Sequence, residues 1–182
     1  MLTVIGGPMF AGKTTYLINL ASKLPIKSYW LFKPSIDIRY SHEALVTHDG
    51  LSLKGFSLDN QRPKFPGLEA IIKTIFIDEL NFFKTKPLLS ELSKIRDSGI
   101  NIVAAGLMYD SNRRPFGATL PLSKIADKYI QLYAVCDGCG QKAEHSYVKG
   151  QKTKQIALGA KEMYGVCCEQ CWQFFNIDRK LV

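Results

Sequence analysis

The sequence predicts an α/β fold, a mainly parallel sheet flanked by helices, with a small cysteine-bearing unit after it. Three observations predict this. Apolar, β-rich runs alternate with helical stretches through the first two-thirds of the 182 residues, the pattern of strand–helix–strand units. The first run leads into Gly7-Pro8-Met9-Phe10-Ala11-Gly12-Lys13-Thr14, a G-x-x-x-x-G-K-T phosphate-binding loop, which requires a strand before it and a helix behind it. All five cysteines lie between positions 136 and 171, where the composition becomes more polar.

Taken in order, Leu2-Thr3-Val4-Ile5 is the first strand. The glycines of the loop let backbone N–H groups turn inward around phosphate oxygens. Lys13 can reach the β- and γ-phosphates, and the Thr14 hydroxyl can ligate Mg²⁺. Thr15 to Leu24 reads as a helix aimed at the anion. Tyr29-Trp30-Leu31-Phe32 is a buried strand that ends before Pro34. From Ser35 to Pro66 the periodicity is poor, so a long loop with short strands is expected. Gly67 to Lys73 reads as a short helix, and Thr74-Ile75-Phe76-Ile77-Asp78 as a strand that ends in an acid. Pro87 suits the first turn of a helix to Asp97, with Leu88, Leu89, Leu92 and Ile95 near helical spacing. Ser98-Gly99 ends it. Ile100 to Ala105 is a near-continuous apolar strand, as in a sheet covered on both faces. Lys128 to Val135 reads as a further strand. The change in composition puts a domain boundary near 135, dividing a nucleotide-binding domain, 1–135, from a cysteine-bearing domain, 136–182.

The net charge of +8 fits either a nucleic-acid surface or a protein that handles anionic nucleotides. Lys and Arg are dispersed, without a run of five, which favours nucleotides. No apolar stretch approaches the 18 residues of a membrane span. The first residues build the phosphate loop, so a cleaved leader would destroy it. A cytoplasmic, reducing compartment is expected, and there clustered cysteines bind metal rather than form disulfides.

Two further patterns carry chemistry. Asp78 stands at the carboxyl end of an apolar strand, where ligands bind in open α/β sheets and where an acid can hold Mg²⁺ through water. Glu79 follows directly. In an extended chain the two would face opposite sides, one toward a metal and the other toward an acceptor. Cys136-x-x-Cys139 and Cys168-x-x-Cys171 have the spacing of a closed tetrahedral Zn²⁺ site, structural rather than catalytic. Cys167 falls outside that spacing and reads as a spare thiol. Arg113 and Arg114 read as a solvated basic pair, His42, His48 and His145 as structural or loop residues, and Phe10 and Trp30 as core.

The combination resembles the type II thymidine kinases, the zinc-containing family related to RecA-like P-loop ATPases. Gly7-Pro8-Met9-Phe10-Ala11-Gly12-Lys13-Thr14-Thr15 resembles the family's nucleotide-binding loop. Asp37-Ile38-Arg39-Tyr40, Thr47-His48-Asp49 and Asp78-Glu79-Leu80-Asn81-Phe82-Phe83 are similar to its next segments. Gly106-Leu107 with Pro115-Phe116-Gly117, and Gly159-Ala160-Lys161-Glu162-Met163-Tyr164 between the cysteine pairs, complete the order. The resemblance implies transfer of the ATP γ-phosphate to the 5′-hydroxyl of thymidine, with Glu79 as general base and Mg²⁺ at Thr14 and Asp78. Lys13 would stabilise the transferred charge, and Arg39, with Asp37, would organise Glu79 and the phosphates. Met9, Phe82, Leu107, Phe116 and Tyr164 would line the nucleoside pocket. The loop between the cysteine pairs would be the family's lasso, with Gln155, Ile156, Ala157, Leu158 and Gly159 contacting the base. A homotetramer is also implied.

The chain departs from the family pattern at Asn81, Met108, Ser111 and in the stretch Ala143 to Val148. Met108 and Ser111 motivate an alternative acceptor, another deoxynucleoside. A second alternative is a zinc-ribbon P-loop ATPase that binds nucleic acid. The dispersed basic residues, and the lack of an aromatic–basic stripe, count against it.

Overall fold

The computed structural model describes residues 1–37, 44–46, 52–149 and 163–177. In chain order the elements are β1 (Leu2–Gly6), α1 (Lys13–Ala21), β2 (Tyr29–Pro34), β3 (Ala44–Val46), β4 (Ser52–Lys54), β5 (Phe56–Leu58) and β6 (Thr74–Ile77). A short 3-10 turn, Leu80–Phe82, precedes α2 (Thr85–Asp97), β7 (Asn101–Gly106), α3 (Thr119–Ser123) and β8 (Lys128–Gln131). The chain continues through β9 (Ala134–Val135), β10 (Lys142–Ala143), β11 (His145–Val148), β12 (Tyr164–Cys167) and α4 (Glu169–Ile177).

The main sheet has six strands in the order β5-β2-β6-β7-β1-β8, and every pairing in it is parallel. Helices cover both faces, which is why the central strands are apolar almost throughout. On one face Val4, Ile75, Ile77, Ile102 and Ala104 pack with Leu88, Leu92 and Ile95 of α2 and Leu122 of α3. On the other, Ile5, Leu31, Phe76 and Ala105 pack on Leu17, Ile18 and Ala21 of α1. Leu88, Leu92 and Ile95 fall on one stripe of α2 at steps of four and three. Lys94 and Arg96 occupy its last turn, where cations suit the helix dipole.

Past the sheet edge, β9 pairs with β10 and β11 with β12, both antiparallel. With α4 they enclose a third core of Ala134, Cys136, Ala143, Val166, Cys167 and Trp172. Met9, Phe10 and Ala11 of the phosphate loop pack against that core, so Phe10 is half-buried beside the small unit rather than inside the sheet. Trp30 packs on the first core. Among the described residues no helix is long and apolar enough to cross a membrane.

Three expectations change. Residues 67–73 hold a single turn, closed by Ile72 N–H on Glu69 O at 2.9 Å, not a helix. Only Ile72 of that stretch is buried and Leu68 is partly so, and seven residues with so little to bury do not repay helix nucleation. The run 128–135 is two strands in two different sheets. Leu132 N–H donates the last bond, to Gly6 O at 2.8 Å. There β1 ends in the phosphate loop, and β8 loses its neighbour. The first helix starts at Lys13, two residues early, because the motif itself supplies the first turn.

Candidate active site

The phosphate loop lies between β1 and α1 at the carboxyl edge of the sheet. Gly12 caps α1 at φ 75°, a left-handed conformation that glycine adopts without steric penalty. The first turn of α1 carries no acid, which leaves its N–H groups to an anion. The Lys13 ammonium donates to Pro8 O at 2.6 Å, folded back over the loop. The Thr14 hydroxyl donates to Asp78 Oδ2 at 2.7 Å.

That bond joins the loop to the end of β6. Asp78 is buried, and its N–H donates to Phe32 O of β2 at 2.9 Å. Burial pushes its carboxyl up to about 7, and the neighbouring Glu79 charge adds to the rise. The Thr14 hydroxyl, the Glu79 N–H and the Lys13 charge pull in the opposite direction. Glu79 does not continue the strand. It stands at φ 54°, ψ 45°, and its N–H donates to Asp78 Oδ1 at 2.9 Å. The two acids are therefore separated by a left-handed turn, not by strand alternation. Glu79 is half-buried.

Aromatic and apolar side chains follow within one turn. Phe82 and Phe116 meet edge to face, with ring centroids 5.6 Å apart. Leu107 N–H donates to Asn81 Oδ1 at 2.9 Å, which hangs the start of the post-β7 loop from the 3-10 turn. The end of that loop is hung there too, by Ala118 N–H on Leu80 O at 3.3 Å. Gly117 has φ +57°, and a Cβ there would lie 2.0 Å from Asn81 O, so only glycine fits. Met9 N–H donates to Ser146 Oγ of β11 at 2.8 Å. Tyr164 is half-buried on β12, opposite Val148. Asp37 is buried beyond β2, its N–H on Pro34 O at 3.0 Å. Arg39, His42, His48 and the stretch Gln155 to Gly159 lie outside the described residues.

The four cysteines of the two pairs come together. The sulfurs of Cys136, Cys139, Cys168 and Cys171 all lie within 4.8 Å of one another. A tetrahedral Zn²⁺ with bonds of about 2.3 Å sets sulfurs about 3.8 Å apart, so the cluster fits that ion. Cys168 N–H donates to Cys136 Sγ at 3.3 Å and Cys171 N–H to Cys168 Sγ at 3.5 Å. Burial opposes the Cys136 thiolate, yet N–H donors from Cys168, Gly138 and Cys139 outweigh it and hold the thiol down to about 6. Burial and the facing sulfurs push Cys171 up. A shared cation removes that conflict, because a coordinated thiol is deprotonated. Cys167 is buried in the small core, outside the cluster.

Comparison with known proteins fixes the family. The family described as thymidine kinase matches residues 1–172. The chain belongs to the thymidine kinase family. A thymidine kinase of Thermococcus kodakarensis is 36% identical, over 93% of this chain and 92% of that protein. One from Porphyromonas gingivalis is 34% identical, over 94% and 84%. One from Pseudothermotoga lettingae is 32% identical, over 94% of both. Membership in the thymidine kinase family makes the chain a kinase, built on a parallel sheet with a cysteine cluster beside it.

The structure adds residues to this kinase site that the sequence reading passed over. Lys33 is buried at the end of β2. Leu31 pairs with Phe76, and both pack on α1, so Lys33, two residues on, shares the face that carries Asp78. A lysine inside the apolar run Tyr-Trp-Leu-Phe-Lys-Pro was the available signal. Asn81 was visible only as a departure from the family pattern, and Ser146 only as a match inside the altered stretch Ala143 to Val148. Arg113 is exposed, as expected, but it is also paired: it forms an ion pair with Glu169 at 2.8 Å. His145 keeps a structural place, its Nε2 on the same carboxylate at 2.9 Å.

Proposed function

We propose that the protein transfers the γ-phosphoryl group of ATP to the 5′-hydroxyl of thymidine, with Glu79 as the general base. The observation that carries this reading is the 2.7 Å bond between Thr14 and Asp78. It brings the phosphate-loop hydroxyl and the strand-end acid to one point, with Glu79 one residue away and the Phe82–Phe116 pair beside it.

In this reading the N–H groups of Gly7, Pro8 excepted, through Thr15 hold the triphosphate. Lys13 leaves Pro8 O to reach the transferred group. Glu79 takes the proton of the 5′-hydroxyl as its oxygen bonds to the γ-phosphorus. The bond from that phosphorus to the bridging oxygen breaks, and ADP leaves. Such a base contributes about 10²–10⁴ in rate. Thr14 would hold Mg²⁺ through its hydroxyl oxygen and Asp78 through a water, an arrangement suited to a Thr14 hydroxyl already donating to Asp78 at 2.7 Å. Bound there, Mg²⁺ neutralises charge on the phosphates. Leu107, Phe82, Phe116, Met9 and Tyr164 form the nucleoside pocket, the stretch Gln155 to Gly159 closes on the base, and Arg39 organises Glu79 and the phosphates. Residues 1–135 act as the nucleotide domain and 136–182 as the zinc-binding lasso domain, with Zn²⁺ on the four cysteines. The clustered thiols suit a reducing cytoplasm, and the assembly is a homotetramer, which sedimentation equilibrium measures.

Purified protein with Mg·ATP and thymidine should yield thymidine monophosphate and ADP. Glu79→Gln should lower kcat by about 10²–10⁴ while ATP still binds. A fully active Glu79→Gln variant removes that residue from its role. Product from another deoxynucleoside, but none from thymidine, reassigns the acceptor to the residues around Met108 and Ser111.

A further inference from the structure

The loop from Leu107 to Gly117 joins the two parts of the molecule. Its base carries the pocket walls Leu107 and Phe116, and its tip carries Arg113. The tip is closed by its own backbone. Asp110 N–H donates to Arg114 O at 2.9 Å, Arg113 N–H to Asp110 O at 3.0 Å and Phe116 N–H to Met108 O at 3.1 Å. Asp110 Oδ1 also accepts from the N–H groups of Asn112 and Arg114 at 2.8 and 2.9 Å. Arg113 is thereby held at φ 63°, a conformation that costs a non-glycine residue about 1–2 kcal/mol. Such a residue persists where its surroundings over-determine it.

The surroundings here belong to the cysteine-bearing unit. Arg113 Nη1 donates to Glu169 Oε1 at 2.9 Å, and Nη2 meets Oε2 at 2.8 Å, a two-pronged pairing that fixes direction as well as distance. The guanidinium carbon lies 5.7 Å from the centre of the Trp172 ring, within cation–π range. His145 meets Glu169 Oε2 at 2.9 Å, and its ring centroid is 5.7 Å from that of Trp172. Glu169 lies between Cys168 and Cys171 in the chain, so the cysteine cluster sets where its carboxylate stands. Residues Asn112 to Pro115 are all exposed. The tip therefore has no apolar anchor, and this charged grip is what holds it.

We propose that Arg113 is a positioning residue for the nucleoside: through Glu169 it registers the post-β7 loop against the cysteine cluster, and so sets how well Leu107 and Phe116 receive the acceptor. This rests on the pocket assigned above. The transfer step is insulated from it. Asp78 is fixed by Phe32 and Thr14, and Met9 is tied to Ser146 directly.

The test is steady-state kinetics with thymidine and ATP varied separately, and zinc measured on each sample, for wild type, Arg113→Met, Arg113→Lys, Glu169→Gln and the Met/Gln double variant. Arg113→Met and Glu169→Gln should each raise the thymidine KM roughly three- to tenfold, the range for a partly exposed but bidentate pair. The kcat, the ATP KM and the zinc content should stay within about twofold of wild type. Arg113→Lys should recover part of the loss, and the double variant should be no worse than the worse single variant. An unchanged thymidine KM in both single variants overturns the inference. So does a joint fall in kcat, ATP affinity and zinc content in Glu169→Gln and Arg113→Lys, which would make the pair merely structural. A wild-type protein that does not phosphorylate thymidine overturns the pocket assignment itself. That result is distinct from an active wild type whose variants keep its KM.

Discussion

Replacing Asp78 with asparagine should stabilise the nucleotide-free protein at alkaline pH while disabling it. The carboxyl is pushed from an ordinary 3.8 up to about 7, by burial first and by the Glu79 charge second. A carboxyl with a raised pKa holds its proton more tightly in the folded chain than in the unfolded one. Between about pH 4 and pH 7 the folded state thus carries more protons, and stability falls as pH rises. At about 1.4 kcal/mol per pH unit, the ionised group at pH 8 disfavours folding by at most about 4 kcal/mol. An asparagine amide removes the charge and keeps both bonds. Its oxygen can accept the Glu79 N–H, now at 2.9 Å from Oδ1, and its NH₂ can donate to the Thr14 hydroxyl, now at 2.7 Å from Oδ2. For a chain of this size 1 kcal/mol moves Tm by roughly 2–4 °C. The Tm difference between variant and wild type should therefore rise from near zero at about pH 3 to several degrees at pH 8, with a ceiling of about 15 °C. Differential scanning calorimetry without nucleotide or Mg²⁺ across that range reads the difference. Adding Mg·ATP should stabilise wild type more than the variant. A variant no more stable than wild type at pH 8, or a difference that is flat with pH, refutes the electrostatic argument.

Other expectations follow from the cysteine cluster and the post-β7 loop. Metal analysis should find about one zinc per chain, and a chelator should expose the amides of β9 to β12 and α4 before those of the main sheet in hydrogen exchange. Uniform exposure would show that the cluster does not stabilise that unit separately. Gly117→Ala should cost roughly 1–3 kcal/mol of stability and raise the thymidine KM, because its Cβ would collide with Asn81 O and displace Phe116. An unchanged denaturation midpoint contradicts that geometry.

Much of the fold was legible because its signals are local. The apolar strands, the phosphate loop, α2 with its Leu88, Leu92 and Ile95 stripe, and the paired cysteine spacings each announce themselves within about a dozen residues. What the sequence concealed depends on distant partners. The break after Gln131 occurs because β1 ends at Gly6, and nothing in the apolar run 128–135 records where a neighbouring strand stops. The failed helix at 67–73 had favourable residues but only Ile72, and in part Leu68, to bury. The ion pair of the exposed Arg113 could not be read from the sequence because its partner Glu169 is 56 residues away. Lys33 was passed over for a related reason: within the run Tyr29 to Pro34 it breaks the apolar pattern, but the register with β6 is needed to see that it shares the sheet face of Asp78.

The conformation of Glu79 shows how one backbone angle can divide labour between adjacent acids. Phe76 faces α1 and Ile77 faces the α2 side, so alternation puts Asp78 on the α1 face beside Thr14. A strand continued by one residue would have turned Glu79 toward the α2 core, where a carboxylate would meet Ile77 and Leu88 without water. The left-handed turn at φ 54° reverses the chain at the sheet edge instead, leaves Glu79 half-exposed, and returns its N–H to Asp78. Glycine would take that turn without the roughly 1–2 kcal/mol cost, but it would carry no carboxylate. A glutamate kept in this strained turn supports the base role proposed for its side chain, at the end of β6. The same turn keeps the two acids close enough for the charge of Glu79 to raise Asp78. A divalent cation at Asp78 would reverse that repulsion, so in the proposed mechanism the acid assigned to the metal and the acid assigned to the proton would be coupled through a single residue of backbone.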